Sequence, residues 1–254
     1  ISVRNLVEFI FRSGDIDNRV GKGVQKEAMQ EGSRMHRKIQ GRMGIEYRAE
    51  VPLKLEVPQE QYVLSLEGRA DGVITNAEGV TIDEIKCMYT DVTRFEEPIF
   101  VHKAQAMCYA YIYALQNNLE QISVQMTYCD LDTEEIRRFQ ESFSFSWLKK
   151  WFLDMIEAYR KWTDFQFAWR KIRQTSIQTL EFPFPYRDGQ RKLVGDVYRT
   201  INRKKILFIQ APTGTGKTIS TLFPAIRAIG ENLGEKIFYL TAKTITRTVA
   251  KDTC

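Results

Sequence analysis

The eight residues Ala211-Pro212-Thr213-Gly214-Thr215-Gly216-Lys217-Thr218 restrict the fold of this chain more than any other segment. The apolar run Ile206 to Gln210 precedes them and a helix-like pattern follows. Glycines at alternate positions let a tight turn aim successive backbone N–H groups inward, at the start of a helix whose dipole favours an anion. This is a P-loop with alanine in the first glycine place. Gly214, Thr215 and Gly216 would cradle phosphates, Lys217 would reach the β/γ-phosphates, and the Thr218 hydroxyl would hold Mg²⁺. The ligand expected here is therefore ATP with Mg²⁺. With Lys236 to Leu240 read as a second strand, the segment becomes a βαβ unit, preceded by a helix from Gly189 to Asn202.

Upstream the pattern differs. Phe182-Pro183-Phe184-Pro185 cannot lie inside a helix, and composition shifts near Thr175, so the boundary is placed to give regions 1–180 and 181–254. Before it, Ser2 can cap a helix from Val3 to Phe11, and a second helix spans Val24 to Arg42. Strand-like runs follow at Tyr47 to Glu56, Tyr62 to Ile74 and Val80 to Cys87. A helix from Pro98 to Leu115 is closed by Asn117 and Asn118. Then come a hairpin, Ile122 to Tyr128 and Glu135 to Phe143, turning at Asp130 and Asp132, and a long helix from Ser146 to Ile172. This order implies an α/β fold with a mixed sheet flanked by helices.

Chemistry concentrates on the first hairpin. Asp71 lies late in one strand, in Gly68-Arg69-Ala70-Asp71-Gly72. Glu84-Ile85-Lys86 lies in the next, and Asn76-Ala77-Glu78-Gly79 turns between them. Alternation puts Glu84 and Lys86 on one face and Ile85 on the other. Asp71 can then stand beside Glu84. Phosphodiester cleavage needs a hard cation to polarise the phosphate and acidify water, and Mg²⁺ takes a few carboxylate oxygens. Asp71, Glu84 and the Ile85 carbonyl can supply oxygens, and Lys86 can offset transition-state charge. Asp-Gly and Glu-x-Lys alone fit a solvated hairpin with ordinary charges better than a catalytic site. Two further features accompany them: His36, in Gly32-Ser33-Arg34-Met35-His36, and Gln105 with Tyr109, one helical turn apart on a shared face.

Together and in this order these elements resemble the RecB/AddB-type branch of the PD-(D/E)xK nucleases, which carries G-x-x-x-H, G-x-x-D, (D/E)-x-K and Q-x-x-x-Y. The resemblance covers about residues 20 to 145. It implies a restriction-endonuclease-like fold, with His36, Asp71, Glu84 and the Ile85 carbonyl as ligands of Mg²⁺ or Mn²⁺. It further implies Lys86 as the catalytic lysine, with Gln105 and Tyr109 in the site. Many relatives also carry a four-cysteine iron–sulfur staple. Here the cysteines are Cys87, Cys108, Cys129 and Cys254, which do not fit that pattern, so no cluster is expected and the thiols read as reduced.

The second region resembles XPD/DinG-like superfamily 2 helicases. Phe184-Pro185-Tyr186-Arg187-Asp188-Gly189-Gln190 is similar to their Q-motif region, with Gln190 as the adenine contact, and Tyr239-Leu240-Thr241-Ala242-Lys243-Thr244 to their motif Ia. The resemblance implies a partial RecA-like unit, the motif set stopping short of an acidic Walker B and a second lobe.

Two features stay open. Trp147, Trp151, Phe152, Met155, Tyr159 and Trp162 form an apolar stripe that suits core packing and also base stacking. Arg170, Lys171 and Arg173, with Arg203, Lys204 and Lys205, suit phosphate tracking or a solvated face. A net charge of +5 permits a polyanionic partner. DNA, single-stranded, flapped or at ends, is that expected partner. No apolar run of about 18 residues suggests a membrane span, and a cytoplasmic location is expected. The rival expectations are a catalytically idle nuclease fold that grips DNA, and a regulatory NTPase.

Overall fold

The computed structural model describes residues 1–14, 22–242 and 244–253. The chain divides into two compact units, Ile1–Lys161 and Trp162–Cys254.

In the first unit, α1 (Val3–Phe11) starts where the Ser2 hydroxyl accepts the Asn5 N–H at 3.1 Å. It buries Val3, Leu6 and Val7 and turns Arg4 and Glu8 outward. Helix α2 (Lys22–Gly41) follows, then β1 (Tyr47–Pro58), β2 (Val63–Asn76) and β3 (Gly79–Met88). The β2–β3 turn needs Gly79, whose φ is +126°, and the Asn76 side chain accepts the Glu78 N–H at 3.0 Å. Helix α3 (Phe100–Asn117) crosses over and ends at Asn118 in the left-handed conformation, φ 54°. Then β4 (Gln121–Asp130) and β5 (Ile136–Ser144) form a hairpin, and α4 (Phe145–Gln178) leaves it.

The strands lie in the order β1-β2-β3-β4-β5, with β3 and β4 parallel and the other neighbours antiparallel. The result is an α/β fold with a five-stranded mixed sheet flanked by helices. Alternation along β3 sorts its two faces. Ile82 joins the main core with α1 and α3, while Ile85 packs with Met35 and Ile39 of α2 and with Cys129. The aromatic stripe of α4 divides too. Phe152, Met155 and Tyr159 enter the core, whereas Trp147 is exposed and stacks on Phe143 with ring centroids 5.0 Å apart.

The second unit contains α5 (Gln190–Asn202), α6 (Lys217–Gly230) and α7 (Thr244–Thr253). The strands expected at 206–210 and 236–240 are not formed. A strand exists only through hydrogen bonds to a neighbour, and neither segment is paired among the described residues. Phe208 is accordingly 93% exposed and Leu240 90% exposed. Lys243, in the segment similar to motif Ia, lies outside the described residues, as does Cys254. Among the described residues no helix is long and apolar enough to cross a membrane.

Candidate functional site

The β1–β2 ladder pairs Ala49 with Gly72 and Val51 with Ala70, and skips Glu50 and Asp71 between them. Glu50 is left-handed there, φ 56°, an unfavourable state for a residue with a Cβ. From α2, the Gln40 amide bridges the gap, donating to the Asp71 carbonyl and to Glu50 Oε1, each at 3.0 Å. Asp71 thus leaves the regular ladder and turns its carboxylate toward β3, where Oδ2 accepts the Ile85 N–H at 2.7 Å.

On β3, Glu84 is buried and Lys86 Nζ donates to its Oε1 at 2.6 Å. Lys86 also reaches Gln105 Oε1 on α3 at 3.4 Å. Tyr109, one turn further along α3, packs over Gly68 and sits 3.5 Å from the Gln105 amide. His36 of α2 places Nδ1 3.8 Å from Asp71 Oδ1. Asp71, Glu84, Lys86, Gln105, Tyr109, His36 and Ile85 therefore meet at one end of β2 and β3, although they come from four elements.

Burial dominates the electrostatics. It pushes the Glu84 carboxyl up to about 8 against the pull of Lys86, with Asp71 adding to the rise. It also raises Asp71, opposed by His36, the Ile85 N–H and Lys86. Burial raises the Tyr109 phenol to about 12, so it stays protonated.

Among the described residues, no three His, Cys, Asp or Glu side chains converge closely enough to hold a metal ion as they stand. The donor set nevertheless suits a divalent cation. Glu84 Oε2 is buried with no hydrogen-bond partner, a costly state for a carboxylate oxygen. Burial raises both carboxyls, and the His36 imidazole lies 3.8 Å from Asp71.

Sequence reasoning missed Gln40, Glu50, Tyr47 and Asp83. The fully buried Asp83 carboxylate accepts from Thr127 Oγ1 at 2.6 Å, Gln125 at 3.0 Å and Tyr47 OH at 3.2 Å. Tyr47 fills the space over Gly72, where a Cβ would come within 2.0 Å of its ring. Tyr47 and Asp83 lie far apart in sequence and no local pattern joins them. Cys87, Cys108 and Cys129 are free thiols.

In the second unit, Gly214 and Gly216 are both left-handed, φ 83° and 74°, as the loop requires. Lys217 Nζ donates to the carbonyls of Ala211, at 2.8 Å, and Pro212, at 2.6 Å. Thr218 follows on the first turn of α6. The buried Gln190 accepts the Arg187 N–H at 3.0 Å and reaches the Thr215 carbonyl at 3.4 Å, while the Arg187 guanidinium bonds the Gly214 carbonyl. In the basic cluster, Arg170 lies 3.5 Å from Glu235.

No family model matches the chain. Over 47 residues it is 40% identical to a probable ATP-dependent helicase of Methanocaldococcus jannaschii. The match spans 18% of this chain and 7% of that helicase, so the homology is partial. Among solved structures, SSO0001 is similar over 62% of this chain and 75% of its own, at 19% identity with a TM-score of 0.37. A score of that size carries no argument about fold or function.

Proposed function

We propose that the first unit is a metal-dependent DNA nuclease with a restriction-endonuclease-like fold, joined to part of a RecA-like, ATP-dependent helicase motor acting in DNA repair or processing. The observation that carries the nuclease reading is the grouping of Asp71, Glu84 and Lys86 around a buried Glu84 oxygen that has no protein partner. The motor reading draws on the P-loop geometry and on partial homology to a probable ATP-dependent helicase.

Asp71, Glu84, His36 and the Ile85 carbonyl would hold Mg²⁺ or Mn²⁺, which when bound supplies Lewis acidity toward the scissile phosphate and acidifies water. The protein's own contributions are separable. Ile85 N–H and Gln40 orient Asp71. Lys86, held by Glu84 and Gln105, presents its ammonium to the phosphate and offsets charge as the water oxygen adds and the leaving oxygen departs. Tyr109 fixes Gln105, keeping the lysine on the cleft side of β3.

A second reading, a nuclease fold that grips DNA without cutting it, draws on the 3.8 Å separation of His36 and Asp71. Incubating the chain with single-stranded and flapped DNA in Mn²⁺ or Mg²⁺, beside Lys86→Ala and Glu84→Ala, decides between them. Metal-dependent cleavage lost in both variants is expected. Binding without cleavage at any metal concentration would leave the idle fold.

A further inference from the structure

A cleft of about 450 Å³ opens over the candidate site, and its wall includes residues that no motif accounts for. His36, Ile85, Lys86 and Gln105 line one part of it. Arg4 and Glu8 of α1 and His102 of α3 line another. At Gly32, also on the wall, an added Cβ would meet no atom within 4 Å beyond its own stretch of helix.

His102 shares a hydrogen bond with a buried phenol. The Tyr128 hydroxyl accepts the Ile99 N–H at 2.9 Å and lies 3.3 Å from His102 Nδ1. A phenol has one proton to give. With that proton directed at Nδ1, the ring would carry its own proton on Nε2. Burial, with the cations Lys86 and Arg4 nearby, pushes the imidazole down to about 4, against the opposite pull of Glu8, so it is neutral. Arg4 commits Nε to Glu8 Oε1 at 2.8 Å and lies close enough to Glu84 to feel its charge.

We propose that Arg4 and His102 form a second phosphate-binding subsite in this cleft, beside Lys86, that takes non-bridging oxygens of the nucleic-acid backbone. Arg4 binds as a charge. His102 binds as a neutral donor through Nε2–H, and Tyr128 is its positioning residue. The assignment rests on the nuclease reading for its choice of a nucleic-acid ligand, and it concerns binding rather than the metal.

The test measures binding of a fluorescein-labelled oligothymidylate by anisotropy, with no divalent cation added, across a salt series. Arg4→Ala should weaken binding about fivefold to tenfold and reduce the slope of log affinity against log salt by about one, because one phosphate contact by a cation is lost. His102→Ala should weaken binding by a similar factor and leave the slope unaltered, because a neutral donor releases no counterion. His102→Gln should recover part of the loss, and Tyr128→Phe should weaken binding about threefold by freeing the ring tautomer. Thermal melting of each variant checks folding, and His102→Gln carries the comparison if His102→Ala fails to fold.

Parental affinity and slope in both Arg4→Ala and His102→Ala would overturn the subsite. A parent chain that cleaves DNA while these variants bind normally would overturn the subsite alone. A parent that never cleaves in Mn²⁺ or Mg²⁺, yet loses affinity in both variants as described, would keep the subsite and sink the nuclease reading. A parent that does not bind the oligonucleotide would overturn both.

Discussion

Tyr109 occupies the space that a side chain at Gly68 would need: a Cβ built on Gly68 would lie 2.6 Å from the Tyr109 hydroxyl oxygen. Two positions 41 apart in the sequence are thus one packing decision. Tyr109 is only 3% exposed and is hemmed in by the main core, so it has little freedom to yield. Gly68→Ala should cost about 1–3 kcal/mol, the usual range for overpacking, and should displace Gln105 with it. The double variant Gly68→Ala/Tyr109→Ala should be less destabilised than the sum of the singles, since the clash is absent. Urea denaturation of the four proteins checks this. A Gly68→Ala variant as stable as its parent would show that Tyr109 moves aside freely.

Lys86 has two partners with different jobs. Glu84 Oε1 accepts a hydrogen bond from its ammonium at 2.6 Å, and Gln105 Oε1 lies at 3.4 Å. Lys86→Ala should reduce cleavage on the order of a hundredfold or more, as for other lost transition-state charge partners. It should still bind Mn²⁺, because lysine is not a ligand, but only at higher pH, because Lys86 lowers the Glu84 carboxyl. Glu84→Ala should lose both properties. Calorimetric Mn²⁺ titrations at two pH values, run beside cleavage assays, separate the roles. Undiminished cleavage by Lys86→Ala would end the proposed mechanism.

Glu84 also makes stability depend on pH. Its carboxyl rises from 4.5 to about 8 on burial. Between those values the folded chain keeps a proton that the unfolded chain has lost. The stabilisation is complete below about pH 4.5 and is lost as pH rises toward about 8. Without divalent cations, the unfolding free energy of the first unit should fall across this window by on the order of a few kcal/mol, at about 1.4 kcal/mol per pKa unit, and its melting temperature should fall with it. Added Mn²⁺ should reverse the trend, because the cation competes with that proton and binds better as pH rises. Glu84→Gln should flatten both curves. A melting profile that rises from pH 5 to 8 in the parent would contradict the burial of this carboxyl.

Much of this unit is legible along the chain because its signals are local. Glycine and asparagine at 76–79 mark the hairpin, alternation in 80–87 separates Glu84 and Lys86 from Ile85, and Asn118 marks the end of α3. The ladder break at Glu50 and Asp71 is not legible. It depends on Gln40 arriving from another helix, and nothing local to Glu50 signals its positive φ. Tyr47, Gly72 and Asp83 are likewise joined only by folding. The segments 206–210 and 236–240 show the converse: an apolar run states a preference for a sheet, but the strand forms only if a neighbour supplies hydrogen bonds. Gln190 carries a local motif, yet its amide is engaged by the P-loop itself.

That last arrangement separates two roles for Gln190. A glutamine reading adenine must offer its amide to the base. Here Oε1 accepts the Arg187 N–H at 3.0 Å and Nε2 faces the Thr215 carbonyl at 3.4 Å. A Cβ at Gly216 would come within 2.5 Å of that same Nε2. Gln190 therefore contacts the loop whose glycines would cradle phosphates, and bracing that loop is a role distinct from the expected adenine contact. Gln190→Ala should weaken ATP and GTP binding alike, about threefold to tenfold for one or two lost hydrogen bonds, whereas an adenine reader would lose affinity for ATP alone. Gly216→Ala should be worse, since it meets Gln190 and forces an alanine to φ 74°, which costs about 1–2 kcal/mol by itself. Lys217→Ala should bind least, because it removes the ammonium that would leave the Ala211 and Pro212 carbonyls to meet the phosphates. Fluorescent ATP and GTP analogues titrated against the four proteins give the order directly. Loss of ATP binding with GTP binding intact in Gln190→Ala would return that residue to the base.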